Sequence, residues 1–239
     1  MDANIYLIKM GIYTFKPDRY SSHTKIINHI KSAYGKNKKL RILDVGCSKG
    51  FIAKNLQDYD FEFHGIELNK EDAKEAKKYY KEIKIADLDL DKVSYQNNFF
   101  DIIIMADIIE HLKSSSGTVK YFAQFLKKEG MMILSTANIA NIYVRLRLLF
   151  GNFDYEVRGI MDKTHLRFFT LKTFRQLAKH SGLKIIKEDF TPIPLPMVHD
   201  AFAEDNLLHI FHRINYLSTK IMPKLLCFQF ILYCSKVDR

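Results

Sequence analysis

A short loop between two apolar segments contains residue types suited to binding a polar ligand. Residues 44–50, DVGCSKG, begin with Asp44 and have glycines at positions 46 and 50. Glycine tolerates the backbone dihedrals of a tight reversal and lets backbone N–H groups approach a ligand closely. The helix that the loop opens adds an N-terminus that favours negative charge. Taken alone, the loop is also compatible with a plain structural turn.

Further acids follow the next two apolar segments. Glu67 ends the segment FEFHGIEL, and Asp87 ends the segment EIKIAD. A carboxylate at the end of a second strand can accept hydrogen bonds from both hydroxyls of a ribose, and ligands of such sheets bind beyond the carboxyl ends of the strands. Any one of these acids could instead cap a helix. Together with the glycine loop they predict one crevice that binds a nucleotide-like ligand.

The rest of the pattern predicts the elements that would position these residues. Strands alternating with helices indicate a parallel sheet covered by helices on both faces. The predicted strands are residues 40–45, 61–68, 82–87, 98–107, 131–136, 183–190 and 225–234. The predicted helices are residues 21–34, 51–56, 69–80, 117–128, 142–150, 171–182 and 206–221, with Gly130 ending the fourth.

The motif series LDVGCSKG, GIEL, ADLDL and FDIIIMADIIEHL resembles that of class I S-adenosylmethionine-dependent methyltransferases, and LKKEGMMILSTAN resembles the segment entering their fifth strand. The resemblance implies a Rossmann-like, doubly wound α/β fold with a mostly parallel seven-stranded sheet. We expect one domain over residues 1–239. Its expected parts are an N-terminal helical cover (1–39), a cofactor-binding core (40–190) with an acceptor-side insertion (138–170), a helical cover insertion (191–222) and a closing strand (223–239).

The same resemblance implies the residues that bind S-adenosylmethionine. The loop would hold the methionine part, with Ser48 standing where many members have a glycine; its residues are Asp44, Gly46, Cys47, Ser48 and Gly50. The adenosine would be held by Glu67 at the ribose, with Leu68, Asp87 and Leu88 around the adenine. Ala106 and Asp107 would lie beside the methionine end. A dinucleotide dehydrogenase is the weaker alternative, because its GxGxxG loop is absent.

Two histidines are candidate catalytic residues. His111 lies in the segment EHL after the fourth predicted strand, and His165 lies in THLRFFT. Residues 141–174 resemble bacterial methyltransferases of small-molecule and glycan pathways, in which the histidine of THLRFFT lies near the active site. Either histidine could remove a proton from the acceptor, or could be a structural residue bonded to backbone. His209 and His212 are predicted to lie on the surface.

Composition limits the class of protein. The three cysteines show no CxxC pair or metal-ligand spacing, and the longest apolar run is about half the ~20 residues of a membrane span. We therefore expect a cytoplasmic protein without a metal. The net charge of +10 fits an anionic acceptor, a membrane surface, nucleic acid or simply a lysine-rich surface. Basic residues of the acceptor-side insertion could bind phosphate or carboxylate; they are Arg145, Arg147, Arg158, Lys163 and Arg167.

These features favour transfer of a methyl group, most plausibly to oxygen, on a small-molecule, glycan or lipid-linked acceptor. A catalytically silent S-adenosylmethionine-binding module is one alternative. A nucleic-acid methyltransferase is another, although residues 106–109 read ADII where a base-methylating enzyme would have an NPPY-like tetrapeptide. An apolar stripe on helix 206–221 could pack on the core, form a lid or dimer contact, or attach peripherally to a membrane; its residues are Leu207, Ile210, Phe211, Ile214, Leu217 and Ile221.

Overall fold

Seven apolar segments pair into one sheet in the computed structural model, which describes residues 18–204 and 206–237. The strands are β1 (Leu40–Val45), β2 (Phe61–Glu67), β3 (Glu82–Ile85), β4 (Phe100–Ala106), β5 (Leu126–Ala137), β6 (Leu183–Thr191) and β7 (Gln229–Lys236). Their spatial order is β3-β2-β1-β4-β5-β7-β6. Only β7 pairs antiparallel with its neighbours, β5 and β6. The predicted mostly parallel, seven-stranded sheet is confirmed.

The central strands are apolar along their length because both faces of the sheet are covered. In β4, Ile103 and Met105 join one apolar cluster, and Ile102 and Ile104 join another. Since successive side chains of a strand point to opposite faces, these clusters are the two cores of a doubly wound fold. The prediction of helices on both faces is thereby confirmed.

The helices begin where side chains can satisfy the exposed N–H groups of their first turn. Ser21 caps the first helix through Thr24 N–H, and Asn69 caps the third through Glu71 and Asp72 N–H. The helices are α1 (Ser22–Ala33), α2 (Phe51–Lys54), α3 (Lys70–Ala76), α4 (Ser115–Ala123), α5 (Ile142–Leu149), α6 (Leu171–His180), α7 (Leu195–Val198), α8 (His209–Ile221) and α9 (Pro223–Leu226). Short 3₁₀ turns cover Lys77–Tyr79, Ile109–His111 and Asp200–Phe202.

Two predicted boundaries are wrong. The helix expected over 117–128 ends at Ala123, because β5 already begins at Leu126, which pairs with Phe100. Gly130 lies inside β5 and does not end a helix; a Cβ there would come within 2.9 Å of the Asp101 carbonyl oxygen. The closing strand expected from residue 225 begins at Gln229, because Pro223 starts the one-turn helix α9.

Helix α8 lies between β6 and β7 in the chain and packs on α1 and the residues before it. The Tyr20 and Tyr216 rings stack at a centroid distance of 4.1 Å. The predicted surface position of His212 is wrong: the residue is fully buried, and its Nε2 lies 3.1 Å from Asp18 Oδ1. Because α8 buries this polar and aromatic side, its apolar stripe faces outward, and Phe211 is 53% exposed.

None of the helices within residues 18–204 and 206–237 has the length and apolar character needed to cross a membrane. In the same part of the chain, no cluster of three or more His, Cys, Asp or Glu residues is arranged to hold a metal ion.

Candidate active site

A cavity opens at the edge of the sheet where β1, β2, β4 and β5 end and β7 begins. It encloses about 1160 Å³, its open mouth included. Among residues 18–204 and 206–237, the lining contains six carboxylates and three histidines and no lysine or arginine: Asp44, Glu67, Asp72, Asp107, Glu110, Asp162, His23, His111 and His165. The remaining lining residues are Gly46, Cys47, Ser48, Phe51, Ile52, Ala106, Ile108, Ala137, Gly159, Phe228 and Gln229.

The loop after β1 is held in left-handed backbone conformations. Gly46 and Gly50 both have φ of 77°, and Ser48 has φ of 44°. Gly46 also lies so close to Ile108 that a Cβ would come within 3.1 Å of its side chain. Glycine accepts such dihedrals and such proximity without strain, whereas Ser48 adopts its conformation at some energetic cost. The Gly46 and Cys47 N–H groups donate to the Ile66 carbonyl, which ties the loop to β2.

Glu67 at the end of β2 is 8% exposed and positions the same loop. Its Oε2 accepts a hydrogen bond from Ser48 N–H, and its Oε1 accepts one from Asn69 N–H, both at 2.8 Å. Burial raises the pKa of this carboxyl, while the backbone N–H groups act in the opposite direction. Each carboxylate oxygen offers more than one acceptor position, so both oxygens can also accept from a diol.

Asp44 at the end of β1 is buried behind the loop. Its Oδ2 accepts a 2.7 Å hydrogen bond from the Tyr80 hydroxyl. Burial raises the pKa of Asp44 to about 7, against the effect of the Tyr80 hydrogen bond. Burial also raises the pKa of the neighbouring Cys47 thiol, so Cys47 is a neutral lining residue and not a thiolate.

Asp107 follows β4 with a positive φ of 54° and joins distant parts of the chain. Its Oδ1 accepts from the Ser135 hydroxyl at 2.6 Å, and its Oδ2 accepts from Gln229 Nε2 at 2.7 Å. A longer contact of 3.3 Å reaches Ser22 at the start of α1. The side chain is therefore fixed by β5, β7 and α1 together.

The two candidate histidines meet in the other half of the cavity, with ring centroids 4.9 Å apart in an edge arrangement. His165 Nδ1 lies 3.0 Å from the Ile160 carbonyl oxygen. Since a carbonyl only accepts, Nδ1 bears the proton and the lone pair is on Nε2.

The contacts of His111 fix the same tautomer. Its Nδ1 faces the Thr164 carbonyl at 3.2 Å and the Thr164 hydroxyl at 3.0 Å. That hydroxyl donates its own hydrogen to Asp162 Oδ1 at 2.7 Å. Burial, followed by the proximity of His165, lowers the pKa of His111 to about 4, so its ring is neutral at physiological pH.

Some predicted site residues lie outside this lining. The cavity includes Asp44, Gly46, Cys47, Ser48, Glu67, Ala106, Asp107, His111 and His165, but not Gly50, Leu68, Asp87 or Leu88. Asp87 instead accepts a 2.9 Å hydrogen bond from Asp89 N–H within its own turn. Leu88 packs against the apolar core. None of the five basic residues of the acceptor-side insertion lines the cavity.

The sequence interpretation assigned no role to several residues that do line the cavity. Glu110 directly precedes His111, and Asp162 lies three residues before His165. This closeness in sequence to the candidate histidines could have indicated that both acids line the cavity. Asp72 lies on α3, which follows Glu67 in the chain, and its carboxylate lies 3.5 Å from the Ser48 hydroxyl. Gln229 gave no local signal, because its place depends on how β7 inserts beside β5.

This lining fits a ligand that presents positive charge and a diol. Removing carboxylates from water without a cation is costly, and burial already shifts the pKa of Asp44, Glu67 and Asp72 upward. A sulfonium and an ammonium group would compensate that cost, and Glu67 has acceptor positions for ribose hydroxyls.

Comparison with known proteins identifies the family of the chain. A model of the family described as methyltransferase domain matches residues 21–188. The ubiquinone biosynthesis O-methyltransferase of Rickettsia canadensis is 34% identical over 122 residues, covering 47% of this chain and 49% of that protein. The Rickettsia akari protein of the same name is 32% identical over 150 residues, covering 59% and 57%. The chain thus spans about half the length of these relatives.

Solved structures share the fold. A S-adenosylmethionine-dependent methyltransferase from Archaeoglobus fulgidus superposes with a TM-score of 0.61 at 14% identity, covering 90% of this chain and 95% of that one. The [4+2]-cyclase SpnF superposes with a TM-score of 0.60 at 13% identity, covering 98% and 93%. Since a cyclase shares the fold, the fold alone does not fix the reaction. The matched family model covers more than half of the chain, so the chain belongs to the S-adenosylmethionine-dependent methyltransferases.

Proposed function

We propose that this enzyme transfers a methyl group to an oxygen atom of a small hydroxylated acceptor. The observation that carries the proposal is the shared cavity: the loop and Glu67 lie in one half, and His111 and His165 lie in the other. A cofactor half and a half with imidazoles that can contact a hydroxyl are what methyl transfer to oxygen needs. The names of the curated relatives support oxygen as the receiving atom.

In this proposal the cofactor is held by residues already fixed in place. Glu67 accepts from the ribose, Gly46 and Ser48 face the methionine part, and Asp44, with Ala106 and Asp107, lies at that end. When bound, S-adenosylmethionine supplies an electrophilic methyl group on a sulfonium. Because the electrophile comes with the cofactor, positioning of the acceptor can account for much of the acceleration, on the order of 7–11 kcal/mol. The adenine contacts of Leu68, Asp87 and Leu88 and the loop role of Gly50 belong to the same proposal.

His165 and His111 would contact the acceptor directly. Their Nδ1 atoms contact carbonyl or hydroxyl oxygens, so Nε2 is the ring atom that we assign to the acceptor hydroxyl. Asp162 fixes this arrangement because its Oδ1 accepts a hydrogen bond from the Thr164 hydroxyl. We therefore propose that the pair orients the acceptor hydroxyl and helps to remove its proton.

Thermal unfolding with added cofactor tests the proposal. S-adenosylmethionine or S-adenosylhomocysteine at 100-fold above its dissociation constant should stabilise the fold by ~2.7 kcal/mol. NAD is the control ligand, because the loop lacks the dinucleotide glycine spacing. Stabilisation by NAD and none by either sulfur compound would refute the proposed ligand. Labelled methyl incorporation into a bacterial small-molecule and lipid extract then tests turnover, and cofactor binding without incorporation would favour a silent binding module.

We further propose that residues 191–222 cover the acceptor side of the site. The support is a chain of contacts: α8 packs on α1, and α1 begins at the cavity with Ser22 and His23. The partly buried pair of Lys25 and Asp189, 2.8 Å apart, and the nearby Tyr216 hydroxyl strengthen this packing. Deletion of α8 should expose the cavity and weaken acceptor binding.

The outward stripe of α8 suits contact with an anionic membrane and hence a lipid-linked acceptor. Ile210, Phe211 and Ile214 are each about half exposed. They are flanked by exposed Arg213 and Lys220. Apolar side chains beside lysine and arginine are typical of helices that lie in a bilayer interface, and the cytoplasmic leaflet is negatively charged. We propose a cytoplasmic enzyme that contacts this surface peripherally.

Sedimentation with vesicles tests this surface. The protein should pellet with vesicles rich in phosphatidylglycerol at low salt and less at high salt, because salt screens the basic side chains. The double variant Phe211→Ser, Ile214→Ser should bind at least ~10-fold more weakly. Val237→Ser is the matched control, since Val237 is 51% exposed and follows the last residue of β7, away from α8. Absence of pelleting at low salt, or equal loss in the control, would contradict the proposal.

A further inference from the structure

A second concave region, the basic pocket, is formed by residues that follow the two candidate histidines in the chain. It encloses about 760 Å³, its open mouth included, and none of the described residues lines both this pocket and the candidate active site. Among the described residues, no carboxylate lines the basic pocket. Its polar lining includes Lys113, Ser114, Ser116, Arg167, Thr173 and Gln176. Of the five basic residues of the acceptor-side insertion, Arg167 alone is among them.

The two cations of the basic pocket are not neutralised by acids. In the described part of the chain, neither the Lys113 ammonium nor the Arg167 guanidinium forms an ion pair. Asp89 accepts a 3.0 Å hydrogen bond from Lys113 N–H, but it does not line the pocket. Arg175 on α6, by contrast, is paired with Glu188. Two positive charges that share a pocket without an acid attract an anion, and a dianion most strongly.

Hydrogen-bond donors lie beside these charges. Ser114 precedes α4, yet its hydroxyl makes no capping hydrogen bond to that helix. The Ser115 and Thr173 hydroxyls, by contrast, donate to backbone carbonyls. The Ser114 hydroxyl and the exposed Gln176 amide are therefore the donors that can turn to a ligand. A guanidinium can bind two phosphate oxygens at once, and a phosphate monoester carries nearly two negative charges at neutral pH.

The same two cations adjoin the segments of the candidate histidines. Lys113 lies two residues after His111, and Arg167 lies two residues after His165. Arg167 Nη2 donates to the Lys113 carbonyl oxygen at 2.7 Å, so the two segments already meet at this point. An anion bound by both side chains would add a second connection between the segments, on the side of them that faces away from the cofactor.

We propose that the basic pocket binds the phosphate group of a phosphate monoester through Lys113 and Arg167. The bound phosphate holds the segments of His111 and His165 together. This binding requires neither the cofactor nor methyl transfer, so it goes beyond the proposed function and does not depend on it. Because the candidate active site is lined by carboxylates, phosphate that binds the protein is not expected there.

Equilibrium dialysis of the whole protein with radiolabelled inorganic phosphate tests the pocket, with sodium chloride holding the ionic strength constant. Lys113→Gln and Arg167→Gln should each bind ~10–100-fold more weakly than the parent, because each removes a charged donor. Lys120→Gln, at an exposed position of α4 outside the lining, is the matched control and should bind like the parent. No binding by the parent, or equal affinity in the parent and both variants, would overturn the proposal.

Competition identifies where the phosphate group comes from. Glycerol 3-phosphate and vesicles that contain phosphatidic acid present the same monoester, one in solution and one on a lipid. Displacement of the label by either supports the pocket, and the one that displaces it at the lower concentration is the source. Displacement by neither would overturn the assignment of a monoester.

Hydrogen exchange tests the connection between the two segments. Exchange in residues 160–168 should slow when phosphate binds to the parent, because local opening then requires release of the anion. The same concentration of phosphate should leave Lys113→Gln unchanged. Unchanged exchange in the parent with phosphate bound would contradict the role of the anion in holding the segments together.

Discussion

The cavity and the outer faces of α5 and α8 are made of opposite residue types within one chain. In the described part of the chain, six carboxylates line the cavity and no lysine or arginine does. The outer faces combine exposed apolar side chains, such as Leu149 at 76% and Ile221 at 81%, with arginines and lysines. A net charge of +10 therefore says little about the ligand in the cavity, because local charge there has the opposite sign. The interior suits a cation, and the exterior suits an anionic surface.

Replacement of His165 would produce the largest effect if the cavity halves have separate tasks. We expect His165→Ala to lower methyl incorporation by ~10²–10⁴-fold, because the acceptor hydroxyl loses an oriented proton acceptor. S-adenosylhomocysteine affinity, measured by calorimetry, should stay unchanged. His180→Ala, at an exposed position of α6, is the control and should match the parent. An equal loss of cofactor affinity would show that the halves are not separate.

The complementary change is in the cofactor half. Glu67→Ala should weaken S-adenosylhomocysteine binding by ~10–100-fold, because hydrogen bonds to a charged group are worth roughly 1.5–3 kcal/mol. The variant should remain folded, since the groups that lose a partner, such as Ser48 and Asn69 N–H, belong to the backbone beside the cavity. Glu71→Ala, nearby on α3 and exposed, provides the control. Equal affinity in Glu67→Ala and the parent would remove Glu67 from the site.

Substitution of Gly46 in the loop, compared with two other glycines, distinguishes the cost of backbone strain from the cost of a steric clash. Gly46→Ala should destabilise the protein by ~1–3 kcal/mol, because alanine would adopt a positive φ and press on Ile108. Gly151→Ala has the same φ of 77° but meets nothing within 4 Å, and Gly35→Ala meets nothing and has no such φ. Chemical denaturation should therefore rank the losses as Gly46, Gly151, then Gly35. Any other order would mean that the loop does not need glycine for both reasons.

The smallest expected effect is the release of less than one proton per protein when S-adenosylmethionine binds. Burial raises the pKa of Asp44 to about 7, and a cation bound nearby should lower it again. At pH ~7, S-adenosylmethionine binding should therefore release protons, and S-adenosylhomocysteine, which lacks the sulfonium charge, should release fewer. Calorimetry in buffers of different ionisation enthalpy measures both. Asp44→Asn should reduce the release, and equal release for both ligands would show that charge complementarity is not the cause.

Local pattern was enough to predict the strands of the sheet and the loop that lines the cavity. The segment LRILDV became β1 at the expected residues, and Asp44 and Glu67 line the cavity because both end adjacent parallel strands. The helices expected from residues 21 and 69 also begin there, with Ser21 and Asn69 as their N-caps. Where the interaction partner is close in sequence, residue type and spacing carry the information.

What the sequence did not predict depends on contacts between distant segments. His212 is buried because Asp18 and Tyr20 pack against it, nearly two hundred residues away in the chain. Leu126 lies in a strand and not in a helix because Phe100 pairs with it.

The bonds of Asp107 have a consequence for how the enzyme is assembled during synthesis. Its carboxylate is joined by Ser22, Ser135 and Gln229, from the first described helix to the last described strand. β7 also inserts between β5 and β6, so an interior position of the sheet is filled by the strand that leaves the ribosome after all the other described strands. Pairings of such sequence separation form slowly, since long loops must close first. The nascent chain therefore has no finished site until β7 is in place, and the cofactor can stabilise only the completed protein.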